Sequence, residues 1–476
     1  MARTLIRGAT VLTLDPTLGD FPRADILIDG RKIAAVAPSL SADDAEVIDA
    51  EHMIALPGFV DSHRHTWQSL LRATAADWTL AQYFAGVRGV MGRLYTPEDM
   101  YVANYLGALE ALDSGITTLY DWSHNNNSPE HADGAVRGLK ESGIRGVYGY
   151  GNGNDEWVPD SNLPTNLDDV TRVRKTHFSS DDGLVTMAFA SRGPQFSSLD
   201  ITEGEFNHVR DLGLRITMHV GDGLWGTSRP LIQMNERGLL GDDTTYVHCN
   251  MLADEEIRLI ADTGATASIS PEVELHMGHG WLATMRLLDV GVRPSISIDI
   301  VTSVAGDMFG PMRSLLMGTR AVVNGKALEE KRIVDPLPLM TTDILEFATV
   351  QGARACGLSH KVGTLTPGKE ADLILIDTNA LNMFPMNNPY GAIVESANAG
   401  NVDSVFVDGK ARKRNHRLLD VDLRALRVRV DAQRDALFAR AGVPADGTWL
   451  PKPFSQGADV ADKTARAEGE FGRSTA

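Results

Sequence analysis

Only two cysteines, Cys249 and Cys356, occur in 476 residues. They lie far apart, which excludes a disulfide framework and fits a reducing compartment. Long apolar runs are also missing, so no segment approaches membrane-spanning length. The start, Met1-Ala2-Arg3-Thr4-Leu5-Ile6-Arg7, lacks the apolar stretch of a signal peptide, and a cytoplasmic location is expected. Positive charge is scarce: 45 Lys and Arg stand against 63 Asp and Glu, a formal net charge of −18. That excess is spread along the chain, which argues against nucleic acid or anionic membranes as partners. No Gly-x-Gly-x-x-Gly follows a strand at a helix start, which disfavours a dinucleotide cofactor. No internal repeat or low-complexity tract is evident.

What is present reads as a soluble globular protein, 43% hydrophobic and 23% charged. The length exceeds one compact core and suits a large barrel with a smaller domain. Short strands with turn punctuation fill the first ~55 residues, including a hairpin over Ala24–Ile33 turning at Asp29-Gly30. The same style returns at Gly368–Ile376 and Val402–Lys410. A small β-sandwich domain is therefore expected from residues 1–56 plus 364–420. Residues 57–363 alternate strands with helical patterns, as parallel βα units do. The clearest strands are Ile144–Tyr150, Leu184–Ala190, Leu214–His219, Thr245–His248, Ala265–Ile269 and Val292–Ile298. That series predicts an α/β fold, a TIM (β/α)8 barrel, with catalytic residues at the C-terminal strand ends. Residues 421–476 read as an amphipathic helix, with Leu423, Leu426, Val430 and Leu437 near helical spacing, and a polar tail from about Ser455.

The chemistry-bearing residues fall at those strand ends. His63 and His65, in Gly58-Phe59-Val60-Asp61-Ser62-His63-Arg64-His65, are two apart and leave the strand on one face. Arg64 between them points away and suits a structural ion pair. His219 closes Leu214-Arg215-Ile216-Thr217-Met218, and Asp299 closes Pro294-Ser295-Ile296-Ser297-Ile298. Three imidazoles and a carboxylate can hold one divalent metal ion per chain, zinc first, with iron, manganese or cobalt as alternatives. Asp299 can also take a proton from a metal-activated water. His248, in Val247-His248-Cys249-Asn250, is either a ligand or a donor that stabilises the developing charge.

Beyond these positions the chain resembles the amidohydrolase superfamily, in the branch of cytosine deaminase-like, S-adenosylhomocysteine deaminase-like and triazine hydrolase enzymes. The resemblance rests on Pro57–His65, on Val247–Glu256 and on Gly363-Thr364-Leu365-Thr366-Pro367-Gly368-Lys369-Glu370-Ala371-Asp372-Leu373, and covers nearly the whole chain. It implies metal ligands at His63, His65, His219 and Asp299, and a catalytic histidine at His248. It also implies a homo-oligomer, dimer or tetramer. Two departures matter. Binuclear members carry a lysine at the fourth strand's end, where Val185–Arg192 has none, so one metal is expected. Deaminases of this branch carry a glutamate three residues after the strand-five histidine, where this chain has Asp222. Asp222 is either a working proton shuttle or a solvated loop residue. After strand seven, relatives commonly have Pro-Ser-Ser-Asn; here Ser270-Pro271-Glu272-Val273-Glu274 stands, and Glu272 is either an extra acid or base or a helix cap. His276 and His279 are expected at the pocket rim or surface.

Trp67, Gln68, Trp78 and Tyr83 after the first strand, with Trp122, His124 and Trp157 on later loops, are candidate substrate contacts for a flat or apolar small molecule. The expected reaction is hydrolysis of a C–N bond in a small heterocyclic or aromatic substrate. The alternatives are an amide, urea or thiocarbamate hydrolase, or a non-catalytic barrel scaffold.

Overall fold

The computed structural model describes residues 3–154 and 163–453, so Trp157 and the tail from about Ser455 lie outside the described residues. The chain opens with strands β1 (Arg3–Val11), β2 (Phe21–Asp29), β3 (Lys32–Ala37), β4 (Glu46–Asp49) and β5 (Met53–Pro57). Next come β6 (Phe59–Arg64), β7 (Ile116–Ser123), β8 (Arg145–Tyr150), β9 (Val185–Ser191), β10 (Ile216–Val220), β11 (Thr244–His248), β12 (Thr266–Ile269) and β13 (Ser295–Ile296). Four more close the series: β14 (Leu373–Asp377), β15 (Val402–Val407), β16 (Lys410–Arg414) and β17 (Arg417–Leu418).

Strands β6 to β13 pair in chain order as an eight-stranded sheet, parallel throughout. Every residue of β6, β7, β8 and β11 is buried, as expected of parallel strands covered on both faces. The ring draws shut between its first and last strands. Ser62 and Ser295 hydroxyls meet at 2.7 Å, Asp299 N–H donates to the His63 carbonyl at 3.0 Å, and His65 N–H donates to the Asp299 carbonyl at 2.8 Å. The predicted TIM barrel is therefore present.

Both ends of the chain build the second, nine-stranded sheet, in the order β17-β16-β15-β14-β5-β1-β2-β3 with β4 beside β1. All nine strands belong to one hydrogen-bonded sheet. It curls so that β3 meets the segment entering β14: Ile33 N–H donates to the Lys369 carbonyl at 3.0 Å and Gly368 N–H to the Ile33 carbonyl at 2.8 Å. Ile6, Ile26, Ile28, Ile33, Leu373, Leu375 and Phe406 form its own core. A buried bidentate pair ties this sheet to the barrel, with Arg145 donating to the two Asp372 oxygens at 2.8 and 2.9 Å.

The helix Leu423–Ala441 lies against the helix Pro97–Asp113 through Arg429–Glu98 and Arg440–Asp99 pairs. Of its predicted apolar stripe, Leu437 is buried, Leu426 and Val430 are half-buried, and Leu423 is exposed.

Candidate metal centre

The barrel's C-terminal strand ends gather the site. His63 sits near the end of β6 and is fully buried, with His65 one residue beyond the strand. Their rings meet edge to face with centroids 4.8 Å apart. Arg64 turns the other way and pairs with Glu110 at 2.6 Å, which also holds Arg72. His219 lies within β10, and His248 is the last residue of β11.

The imidazole Nε2 atoms and one carboxylate oxygen converge. Asp299 Oδ1 is 3.3 Å from His63 Nε2 and 3.4 Å from His65 Nε2, and His219 Nε2 is 3.2 Å from His63 Nε2. Asp299 Oδ2 faces His248 Nε2 at 3.8 Å. Among the described residues, His63–His65–Asp299, His63–His219–His248 and Asp222–His248–His279 each bring ligand atoms within 4.8 Å of one another. His63 is common to the first two.

This donor set fits a divalent ion. Ligand bonds of about 2.0–2.1 Å in a tetrahedral arrangement put neighbouring ligand atoms about 3.3 Å apart, the spacing found around His63. His65 Nδ1–H donates to the Trp122 carbonyl at 2.8 Å, which leaves Nε2 as a free lone pair. Burial holds the His63 and His219 rings below their ordinary pKa, and burial together with the neighbouring His63 takes His65 down to about 3. Neutral imidazoles are the form a metal needs. Burial would raise the Asp299 carboxyl, but contact with His63 and the nearby His248 and His65 outweigh it and hold the group ionised. At the end of β9 stand Ser191 and Arg192, with no lysine to bridge a second ion.

A second set of side chains flanks the first. His248 Nδ1–H donates to Glu274 Oε1 at 3.1 Å. Glu274 is buried and also accepts from Ser270 N–H at 2.7 Å and from Asn250 Nδ2 at 3.1 Å. Burial lowers His248, yet the Glu274 contact and the charges of Asp222 and Asp299 push it up to about 9. His279 Nε2 lies 3.1 Å from Asp222 Oδ1. Sequence reasoning gave Glu274 no role and put His279 at the rim or surface; His279 is 2% exposed and lines the cavity.

Of the predicted substrate contacts, Tyr83, Trp122 and His124 line the cavity beside the ligand cluster, with Phe84, Phe196 and Met277. Trp67 and Gln68 stand one layer behind: Trp67 Nε1–H donates to His124 Nδ1 at 2.9 Å and Gln68 Nε2–H to the Tyr83 hydroxyl at 2.6 Å. His124 in turn stacks on His65 with centroids 3.9 Å apart. Trp78 packs against Trp449 instead of the cavity. Of the two roles open to Glu272, the placement does not favour the acid–base one: its carboxylate lies against Ser314 and Gly310 on the helix Phe309–Glu329, outside the cavity lining.

Known proteins resemble this chain over nearly its whole length. The amidohydrolase family model matches residues 54–412. A 5-methylthioadenosine/S-adenosylhomocysteine deaminase from Caldicellulosiruptor saccharolyticus is 29% identical over 436 residues, covering 89% of this chain and 96% of that protein. A 5'-deoxyadenosine deaminase from Methanosarcina barkeri is 26% identical over 449 residues, covering 92% and 98%. An adenosine deaminase from Xanthomonas campestris with bound zinc superposes with a TM-score of 0.82 at 24% identity, covering 92% and 99%. A mutant atrazine chlorohydrolase from Arthrobacter aurescens, complexed with zinc and atraton, gives 0.80 at 25% identity, covering 90% and 100%.

Proposed function

The chain belongs to the amidohydrolase family and is a hydrolase acting on carbon–nitrogen bonds, and we propose that it deaminates a small heterocycle using one zinc ion. One observation carries the proposal. A single cluster of neutral imidazole Nε2 atoms and one ionised carboxylate sits beside a cavity walled by Phe84, Trp122 and Phe196. In this reading His63, His65, His219 and Asp299 hold the ion, which when bound lowers the pKa of a water towards ~7.

The chain's own residues supply the rest. Asp299 takes a proton from the attacking water at Oδ2, the oxygen on the His248 side. His248, held by Glu274, donates through Nε2 to the charge that develops on the ring as the water oxygen bonds to carbon. The proton taken up by Asp299 passes by way of Asp222 to the leaving amino nitrogen as the C–N bond breaks, so both carboxylates return to their starting state. Ammonia and the oxo heterocycle are the products. Tyr83, Trp122 and His124 join Phe84 and Phe196 in clamping a flat ring, and the apolar wall excludes bulk water.

The second reading, an amide, urea or thiocarbamate hydrolase, draws on Asp222 being one methylene shorter than the glutamate of the deaminases it resembles. The test is metal content together with ammonia release from aminopyrimidines, purines and triazines. About one metal per chain with ammonia released is the expected result. One metal without ammonia moves the reading to amides, ureas and thiocarbamates, and no metal after reconstitution overturns it.

A further inference from the structure

Asp222 and His279 come from different loops, yet the backbone joins them. Asp222 lies between Gly221 and Gly223 after β10, and His279 between Gly278 and Gly280 beyond β12. Gly280 has φ 129°, which a side chain rarely allows, and a Cβ at Gly221 would stand 2.9 Å from the Cys249 backbone. Gly223 N–H donates to the His279 carbonyl at 3.1 Å, and His279 N–H donates to the Glu274 carbonyl at 3.3 Å. Asp222 N–H reaches Gln195 Oε1 at 3.4 Å. The two loops are thereby locked edge to edge.

The side chains follow. Asp222 is 3% exposed and His279 2%, both line the cavity, and Nε2 of the one is 3.1 Å from Oδ1 of the other. A carboxylate this deep is costly without a partner, and His279 is the one charged-type group within ion-pair distance among the described residues. Asp222 is also short for its task, because a carboxylate displaced by about 1 Å can cost ~100-fold in rate.

We propose that His279 is the positioning residue for Asp222: the ring, its Nε2 3.1 Å from a buried carboxylate oxygen that accepts no hydrogen bond among the described residues, holds the short side chain by charge and contact at the height in the cavity where the leaving group is protonated. This rests on the hydrolase reading above. The pair replaces one longer side chain with two shorter ones, drawn from adjacent loops. A purely structural ion pair predicts lost stability without a selective loss of turnover.

The experiment combines turnover, metal content and ring tautomer. His279→Ala is expected to lower kcat about 100-fold with KM changed less than about threefold and one metal per chain retained. His279→Gln, whose amide N–H reaches the same distance, is expected to recover at least tenfold of that loss. Asp222→Glu placed in the His279→Ala background is expected to recover activity as well, since the longer carboxylate no longer needs the ring. Independent of turnover, 15N spectra of histidine-labelled protein should show His279 as the Nε2–H tautomer, disturbed by Asp222→Asn.

Native-like kcat in His279→Ala overturns the proposal. So does equal impairment in His279→Ala and His279→Gln at unchanged metal content. Two metals per chain falling to one in His279→Ala overturns it in favour of a second ion on Asp222, His248 and His279. If the native chain turns over no substrate of the panel, the tautomer signature alone decides: its presence keeps the pair while the deaminase reading falls, and its absence removes the pair.

Discussion

Glu274→Gln tests the hold on His248 with little change of shape. The native carboxylate accepts three hydrogen bonds, from His248 Nδ1, Ser270 N and Asn250 Nδ2. A glutamine oxygen can keep the bonds from His248 and Ser270. Its NH2 then faces the Asn250 amide, which can turn its unpartnered Oδ1 inward while losing the bond to the Trp281 carbonyl. What disappears is charge. A hydrogen bond to a charged group is worth about 1.5–3 kcal/mol against about 0.5–1.5 for a neutral one. Partners that orient active-site histidines from behind typically cost 10–100-fold when changed, about 1.4–2.7 kcal/mol at 1.36 per decade. The expected result is a kcat/KM 10–100-fold below native with one metal per chain and an unchanged thermal midpoint. Steady-state kinetics alongside metal analysis reads it. A variant within about threefold of native at full metal occupancy would refute the idea that Glu274 sets the protonation and direction of His248.

Asp372→Ala leaves Arg145 buried without its bidentate partner and is expected to cost about 3–5 kcal/mol in urea unfolding; a loss under about 1 kcal/mol would show that the ion pair is not a tie between sheet and barrel. Asp243→Asn should flatten the acid limb of the thermal midpoint: burial raises the Asp243 carboxyl, but Arg210 outweighs it and holds the pKa below the ordinary value, so its stabilisation is present above about pH 4 and lost as pH falls further. Parallel native and variant curves down to pH 3 would count against it. Phe196→Leu stays apolar but shrinks the side chain and removes one aromatic wall of the cavity, and a flat-ring substrate should show KM raised about 2–10-fold, matching the ~0.5–1.5 kcal/mol of an aromatic pair; an unchanged KM would place the ring elsewhere.

Most of the barrel is legible because strands such as β6, β8 and β11 are short, fully buried runs that end in a polar or titratable residue. The last strand is shorter than its sequence suggests: Val292–Ile298 looks extended throughout, but the ladder holds only Ser295–Ile296, because the chain then bends back to β6 to close the ring. The two carboxylates after β12 part for a geometrical reason that the sequence does not display. Read as loop, Glu272 and Glu274 have no assigned face. As helix Pro271–Met277 they point about 200° apart, at 100° per residue, so one turns to the helix Phe309–Glu329 and the other into the barrel mouth. Nor does spacing reveal His279, since its place depends on hydrogen bonds between two loops 57 positions apart (222 to 279). Trp67 and Trp122 are equally aromatic; Trp122 lies on β7 and lines the cavity, whereas Trp67, on the helical turn Thr66–Leu71 after β6, stands behind His124.

Backbone strain marks the same positions as the chemistry. His248, Cys249 and Asp299 have φ of 75°, 62° and 70°, a region that costs a non-glycine residue about 1–3 kcal/mol. At the last residue of β11 and just past β13, that turn redirects a side chain from the barrel wall to the centre of its mouth. The strain is held by bonds to neighbouring strands: Cys249 N–H to the Val220 carbonyl at 2.9 Å, and Asp299 through its N–H to His63 on β6 and its carbonyl to His65 just beyond it. Ring closure and ligand placement are therefore one set of bonds. A glycine at 299 would relieve the strained φ but delete the carboxylate that meets His63 and His65, so under the proposed function stability gained at that position is activity lost.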